Sequence, residues 1–448
     1  MESPEFSIAE ETLAALIAAC NDPDPAAHAA FVAERCVAPE RVAPLWARFR
    51  RASAPVRVLS VEGAEPFALT AICEDRWERL FEYKLRLTRE PPHQITPTPL
   101  TALPRPDDTL PERTSWPHIR EALEARLANG LREGWLSGAI MVAQGDETLF
   151  ETAYGYADRE AKAPNALATR FRMGSMNKMF TGVSVLQLAG AGRLGLDDPV
   201  ARHLPNYPNP LFAQKVTLRH LLNHTGGAGD FFGPEFREHR LELREPADFV
   251  ALLGHRDPEF EPGAQHKYAN YGFILLGRII EAVSGQAYDD YVQANVFDAA
   301  GMAATGALPE DAEVTGRAVG YMDSDAGLIR NDQTLPYRGT PAGGGYTTVG
   351  DLVRFGRALI CGKLLGDEAM AVVGSGGVEF MPGVWYGAGF QETRRGDIRS
   401  IGHGGGAPGM NGDLFIHPAS GHVVAVLSNF DPPQASVMAA FVSLRLLS

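Results

Sequence analysis

Apolar and polar positions follow a helical period at the start of the chain and switch to a period of two within the first ninety residues. Residues 8–20 place alanine and leucine at helical spacing behind Ser7-Ile8-Ala9-Glu10, a capping-box pattern, which predicts a helix ending near Cys20. Further helices are predicted from about Pro25 to Cys36 and around Arg41 to Arg51. Residues 56–61, 67–73 and 80–87 then read as strands, the last alternating apolar and polar, with Glu62-Gly63 as the turn between the first two. From Pro91 to Pro117 eight prolines block both helix and inner strand, which predicts a linker or an extended strap. Beyond it, residues 118–132 form an amphipathic helical pattern. Residues 137–143 and 148–154 flank Gln144-Gly145-Asp146-Glu147 as a hairpin. A second hairpin is predicted from residues 413–416 and 423–427 around Pro418-Ala419-Ser420-Gly421, followed by a closing helix over 435–447. Strands at both ends of a long, mostly helical stretch predict one sheet built from the two ends, with a helical subdomain inserted between them. The expected organisation is an α+β accessory domain over 1–105, a proline-rich linker over 106–117 and a main domain over 118–448.

Composition narrows the partners. The chain has 448 residues, enough for two or three domains, and 45% hydrophobic with 21% charged residues suits a globular protein. Its net charge of −14, without a basic stripe, argues against nucleic acid and anionic lipid as partners. No run of 18 apolar residues is present, so no membrane span is expected. The first ten residues hold three glutamates and no lysine or arginine, unlike a signal-peptide n-region. A cytoplasmic chain is expected, or a periplasmic or secreted one if a leader has been removed. Cys20, Cys36, Cys73 and Cys361 form no CxxC pair and are expected as single buried thiols, although Cys20 and Cys36 could bridge.

Three segments carry candidate chemistry. In Gly174-Ser175-Met176-Asn177-Lys178, Ser175 and Lys178 lie three apart and share one helical face. A serine hydroxyl is a weak nucleophile until a base takes its proton, and a lysine serves if burial or a neighbouring cation lowers its pKa. The bland alternative is a helix cap beside a solvated lysine. Tyr268-Ala269-Asn270 places a phenol and an amide two apart ahead of a helix expected over 272–283; a core tyrosine and a cap are the alternative. Gly402-His403-Gly404-Gly405-Gly406 suits a strand that a ligand can approach closely, with backbone N–H groups available to a carbonyl oxygen. His220 and His224 have a metal-like spacing of four, but no metal or other cofactor is expected. No Gly-x-Ser-x-Gly elbow occurs, which disfavours an α/β-hydrolase.

Taken in order, these segments resemble the serine β-lactamase and penicillin-binding-protein superfamily, in its class C-like branch with family VIII carboxylesterases, D-aminopeptidases and D,D-peptidases. The stretch Thr217 to Gly227, Gly301-Met302, and Gly343 to Leu352 add to the resemblance, which covers about residues 118–448. It implies an α/β fold: an antiparallel sheet flanked by helices plus a helical subdomain, preceded here by a small α+β domain similar to cystatin- or NTF2-like modules. It implies Ser175 as nucleophile, Lys178 and Tyr268 sharing the proton transfers in an order left open, and Asn270 orienting substrate. It also implies His403 where many relatives have lysine, Gly405 and Gly406 lining the substrate site, and the N–H groups of Ser175 and Gly406 as an oxyanion hole. The implied activity is ester or amide hydrolysis through an acyl-enzyme, first as a carboxylesterase. D-amino-acid-specific peptidase, β-lactamase or penicillin-binding activity, and a catalytically silent acyl-ligand binder, are the alternatives. The expected partner is a small-molecule ester or peptide, with homo-oligomerisation left open. Gly404 departs from the pattern, since β-lactam-binding relatives usually carry threonine or serine there.

Overall fold

The computed structural model describes residues 7–324, 327–375 and 377–447. It divides into two compact units, Met1–Leu110 and Pro111–Ser448. In the first, the capping box forms as its spacing predicts. Ser7 Oγ accepts from the Glu10 N–H, Glu10 reaches back to the Ser7 N–H, and α1 runs Ile8–Asn21. Helices α2 (Pro25–Arg35) and α3 (Pro39–Ser53) follow. The antiparallel sheet has the order β1 (Arg57–Glu65), β2 (Ala68–Glu74), β3 (Leu80–Arg86), β4 (Leu100–Leu103). Alternation in β3 buries Phe81, Tyr83 and Leu85 on the core face, with Leu13, Leu16 and Val32 from the helices in the same core.

Two features of this unit differ from expectation. Strand β1 continues past Glu62-Gly63, and the chain reverses at residues 66–67; Gly63, at φ 56°, lies where the register slips between Glu62 and Glu65. A glycine at positive φ builds a bulge as readily as a turn. The first half of the proline-rich stretch also belongs to the sheet. Ile95, fully buried, bridges to Cys36 and Leu87, and β4 pairs with β3 as an edge strand, the place in a sheet where nearby proline is tolerated.

The second unit opens with α4 (Trp116–Arg132) and the hairpin β5 (Gly138–Gln144) and β6 (Glu147–Tyr154). A long segment carries α5 (Asn177–Gly190), α6 (Leu218–Leu222), α7 (Asn270–Ser284) and α8 (Val349–Ile360). The chain returns through β7 (Val378–Met381), β8 (Val384–Gly387), β9 (Phe390–Arg395), β10 (Ile398–Ala407), β11 (Met410–His417) and β12 (His422–Ser428), and closes with α9 (Gln434–Ser443). The eight strands order as β7-β8-β9-β10-β11-β12-β5-β6, every pair antiparallel. The join between the two chain ends is β12 against β5, with Val423 opposite Ala143 and Leu427 opposite Ala139. All seven residues of β12 are buried, because helices cover both faces of the sheet there, and its sequence accordingly runs apolar without alternation. Val423, Ala425 and Leu427 share the main core with Leu352 and Phe355 of α8 and with Phe180 of α5, whose ring meets Phe355 edge-on at 4.9 Å. Among the described residues no helix is long and apolar enough to cross a membrane.

Candidate active site

Ser175 sits in the single helical turn Gly174–Met176 that leads into α5. Gly174 has φ 54°, which glycine adopts without strain, and the turn presses against β10. A Cβ on Gly405 would stand 2.0 Å from the Met173 carbonyl oxygen, and one on Gly174 would stand 3.2 Å from the Gly406 nitrogen. Gly405 is buried and Gly406 exposed. The glycine run therefore lets a strand backbone and the serine turn touch, bringing the Ser175 turn and the Gly406 N–H to one place.

Lys178, in the first turn of α5, is fully buried. Its Nζ lies 3.2 Å from Ser175 Oγ and 2.7 Å from Asn270 Oδ1, and it donates to the Ala342 carbonyl. Burial lowers the Lys178 pKa well below that of a free lysine, while the Asp230 carboxylate pulls it back up. Asn270 opens α7. Its Oδ1 accepts from Lys178 and its Nδ2 donates to Asp230 Oδ2 at 2.9 Å, which fixes the orientation of the amide. The Lys178 Nζ stands 4.7 Å from the centre of the Tyr268 ring. Tyr268 is 36% exposed as a residue, yet its hydroxyl lies in a buried setting that pushes its pKa well up, opposed by a hydrogen bond with Ser175. The phenol is thus held protonated.

His403 is 3% exposed, and both ring nitrogens are occupied within the protein: Nε2 with the Tyr386 hydroxyl at 2.9 Å and Nδ1 at the Gly404 carbonyl. Burial, with the nearby Lys178, takes its pKa down to about 3, so the ring is neutral. Gly404 stands opposite Asp413 across the β10–β11 ladder, and a Cβ there would lie 3.3 Å from Asp413 Oδ2. Burial pushes the Asp413 carboxyl up to about 7. Upstream of His403, Arg394 is held by Glu392 at 2.8 Å and lies over the Trp385 ring at 4.4 Å, and Arg399 of β10 is held by the same carboxylate at 2.6 Å.

Four contributors lie outside the three segments that carry the candidate chemistry. His224, weighed on sequence for its spacing from His220 and as part of the stretch Thr217 to Gly227, clamps the segment that carries Tyr268. Its carbonyl accepts from the Lys267 N–H at 2.9 Å, its Nδ1 accepts from the Ala269 N–H at 3.1 Å, and its ring centre lies 4.2 Å from that of Tyr268. It does so at φ 57°, an unusual backbone state for a non-glycine residue. Burial first, and then coupling to the titratable groups Lys178, His403 and His266 around it, lowers its pKa well below normal. His220 instead completes the cap of α6 with Thr217. Asp230, Tyr386 and the Ala342 carbonyl are the other contacts, reached from sequence positions 17 to 164 residues from their partners.

Residues 119–447 match the Beta-lactamase family. A penicillin-binding protein of Bacillus subtilis is 36% identical over 171 residues, a match that spans 37% of this chain and 37% of that relative's length. The fold matches a penicillin-binding protein from Bacillus halodurans with a TM-score of 0.65 at 31% identity, covering 74% of this chain and 99% of that one. It matches a D-stereospecific amidohydrolase from Streptomyces with a TM-score of 0.60 at 28% identity, covering 73% of this chain and 97% of that one.

Proposed function

The chain belongs to the Beta-lactamase family, a serine-hydrolase fold, and from that premise we propose that it hydrolyses carboxylic esters through an acyl-enzyme on Ser175. The observation that carries this reading is the set of partners around Lys178. A neutral amine has two N–H donors and one lone pair. Asn270 Oδ1 and the Ala342 carbonyl can only accept, so they take the two donors and leave the lone pair facing Ser175 Oγ. A lysine kept neutral by burial at 3.2 Å is a base for that hydroxyl.

In this reading the Ser175 proton passes to Lys178 as Oγ adds to the carbonyl carbon. The negative oxygen is received by the N–H groups of Ser175 and Gly406. Tyr268, held protonated beside Ser175, gives its proton to the departing alkoxide and recovers one from Lys178. Water then repeats the addition on the acyl-serine and restores the hydroxyl. Lys178 acts first because burial favours its neutral form, whereas the same burial keeps the phenol from ionising.

Ester preference follows from what the glycine strand lacks. A cephalosporin carboxylate needs a fixed cation or hydroxyl donor. His403 is neutral with both nitrogens engaged, Gly404 has no side chain, and its cross-strand neighbour is a carboxyl. Losing a hydrogen bond to a charged group costs about 1.5–3 kcal/mol, roughly 10- to 150-fold in kcat/KM. Nitrophenyl butyrate should therefore be a better substrate than nitrocefin on the same enzyme; the reverse order would defeat the argument. A second reading, hydrolysis of D-aminoacyl amides, is favoured by the exposed Asp230 carboxylate beside Asn270, which suits a substrate ammonium. Matched D- and L-alanyl nitroanilides against the butyrate ester decide between the two.

A further inference from the structure

The N-terminal unit holds a cavity of about 190 Å³, and none of its lining residues belongs to the site above. Leu16 and Cys20 of α1, Trp46 and Phe49 of α3, and Phe81 and Tyr83 of β3 form its walls. No lysine, arginine, aspartate or glutamate lines it among the described residues. Four of those walls are aromatic rings, set edge to face in two pairs: Trp46 with Tyr83 at 5.9 Å, and Phe49 with Phe81 at 5.3 Å. Burial raises the lining thiols Cys20 and Cys73 to about 11, so both are neutral. Within this apolar setting the Tyr83 hydroxyl is buried without a hydrogen-bond partner. That oxygen has no surface open to a water-sized atom, so a guest in the cavity meets the Tyr83 ring and not its hydroxyl. At the cavity's edge Leu45 and Leu100 are 68% and 41% exposed, an apolar rim through which a neutral molecule can pass.

Size and lining together define the ligand. An apolar cavity of about 150 Å³ takes benzene, so 190 Å³ has room for one ring and a small substituent. A charged molecule would lose its hydration and find no counter-charge. Edge-to-face rings favour an aromatic guest over an aliphatic one of equal size. We propose that this cavity is a binding site for a neutral, single-ring aromatic molecule of the toluene or cresol class, held by the rings of Trp46, Phe49, Phe81 and Tyr83.

The test uses the full chain, with Ser175 first treated with a fluorophosphonate to remove the other site from the titration. p-Cresol, toluene and benzoate are titrated by calorimetry, with Trp46 fluorescence as a second signal. The expected result is saturable one-to-one binding of p-cresol and of toluene and none of benzoate. Cys20→Phe fills the cavity and Leu100→Glu puts a charge on its rim; each should abolish binding. Leu100 is on the surface, so that variant keeps its fold, checked by unchanged thermal unfolding of the chain. Absence of saturable p-cresol binding to the native chain overturns the proposal, as does binding that survives both variants. Localisation rests on those variants, so the outcome is independent of whether Ser175 is the nucleophile.

Discussion

At Lys178 the side chain's burial and its chemistry are one fact, because removing the ammonium from water is what frees the lone pair. A base works when deprotonated, so activity should be present above its lowered pKa and lost as pH falls through it. The kcat/KM profile for nitrophenyl butyrate should show one acid limb well below the pH expected of a free lysine. Lys178→Met and Tyr268→Phe should each lower kcat by about 10²- to 10⁴-fold with little change in KM, as fits groups that move protons in the transition state. A change confined to KM would reassign either residue to binding. Ser175→Ala should abolish turnover, at a scale of roughly 10⁶ in kcat, while leaving thermal unfolding near native. His224 makes a sharper test of positioning. His224→Phe keeps a ring against Tyr268 but strands the buried Ala269 N–H, at a cost of about 1–3 kcal/mol. It should lower kcat about tenfold or more, and His224→Asn, which tolerates positive φ and keeps an acceptor, should recover part of it. Ser175, Lys178, Tyr268 and Asn270 were legible because each pair is local, three or two residues apart. His224 and Asp230 were not, since their partners stand 45 and 40 residues away and only folding brings them together.

At the level of elements, the glycine strand decides how closely β10 meets the serine turn. Gly405→Ala would put a methyl 2.0 Å from the Met173 carbonyl oxygen, a backbone atom with no room to yield. Overpacking of this kind costs about 1–3 kcal/mol, and on the proposed mechanism it also displaces the N–H groups that receive the oxyanion. The variant should lose reactivity toward a fluorophosphonate while retaining most of its helical circular dichroism; full reactivity would show that the turn and the strand need not touch. The hairpins at both ends of the second unit were readable because turn residues separate clean apolar runs. Strands β7 to β9 were not. β7 alternates between half-buried and exposed positions, and β9 carries Gln391, Glu392, Thr393, Arg394 and Arg395, a polar string with no strand period. Its Glu392 is buried by pairing with Arg394 and Arg399, a contact that composition alone presents as surface charge. The misplaced first turn has a like cause, since Gly63 signals positive φ but not whether a turn or a bulge uses it.

On the scale of the whole molecule, the two units have separate cores. We expect residues 106–448 alone to keep Ser175 reactive toward a small fluorophosphonate; a folded but unreactive product would make the accessory unit part of the site. Acid should destabilise the second unit. His403 at about 3 and His417 at about 4 are both depressed by burial, so their stabilising effect is complete above about pH 6.5 and is lost as pH falls toward those values. Asp413, raised to about 7, opposes them: its contribution is greatest in acid and is lost as pH rises through 7. Asp289, raised to about 6, and Glu281 act as Asp413 does, but with the lowered His220, His224, His266 and His422 added the six histidines outweigh these three carboxyls, and the temperature at which serine reactivity is lost should fall between pH 7 and pH 4. The central join of β12 with β5 sets one further condition, on the ribosome. Residue 144 and its partner 422 are 278 positions apart in the chain. At about 5–20 residues per second, β5 leaves synthesis roughly 15–60 s before β12 exists. Throughout that interval a strand apolar on both faces presents one bare edge in a crowded cell. Making this protein in good yield is therefore a matter of translation speed and of chaperones that hold the nascent chain, as much as of the stability of the finished sheet.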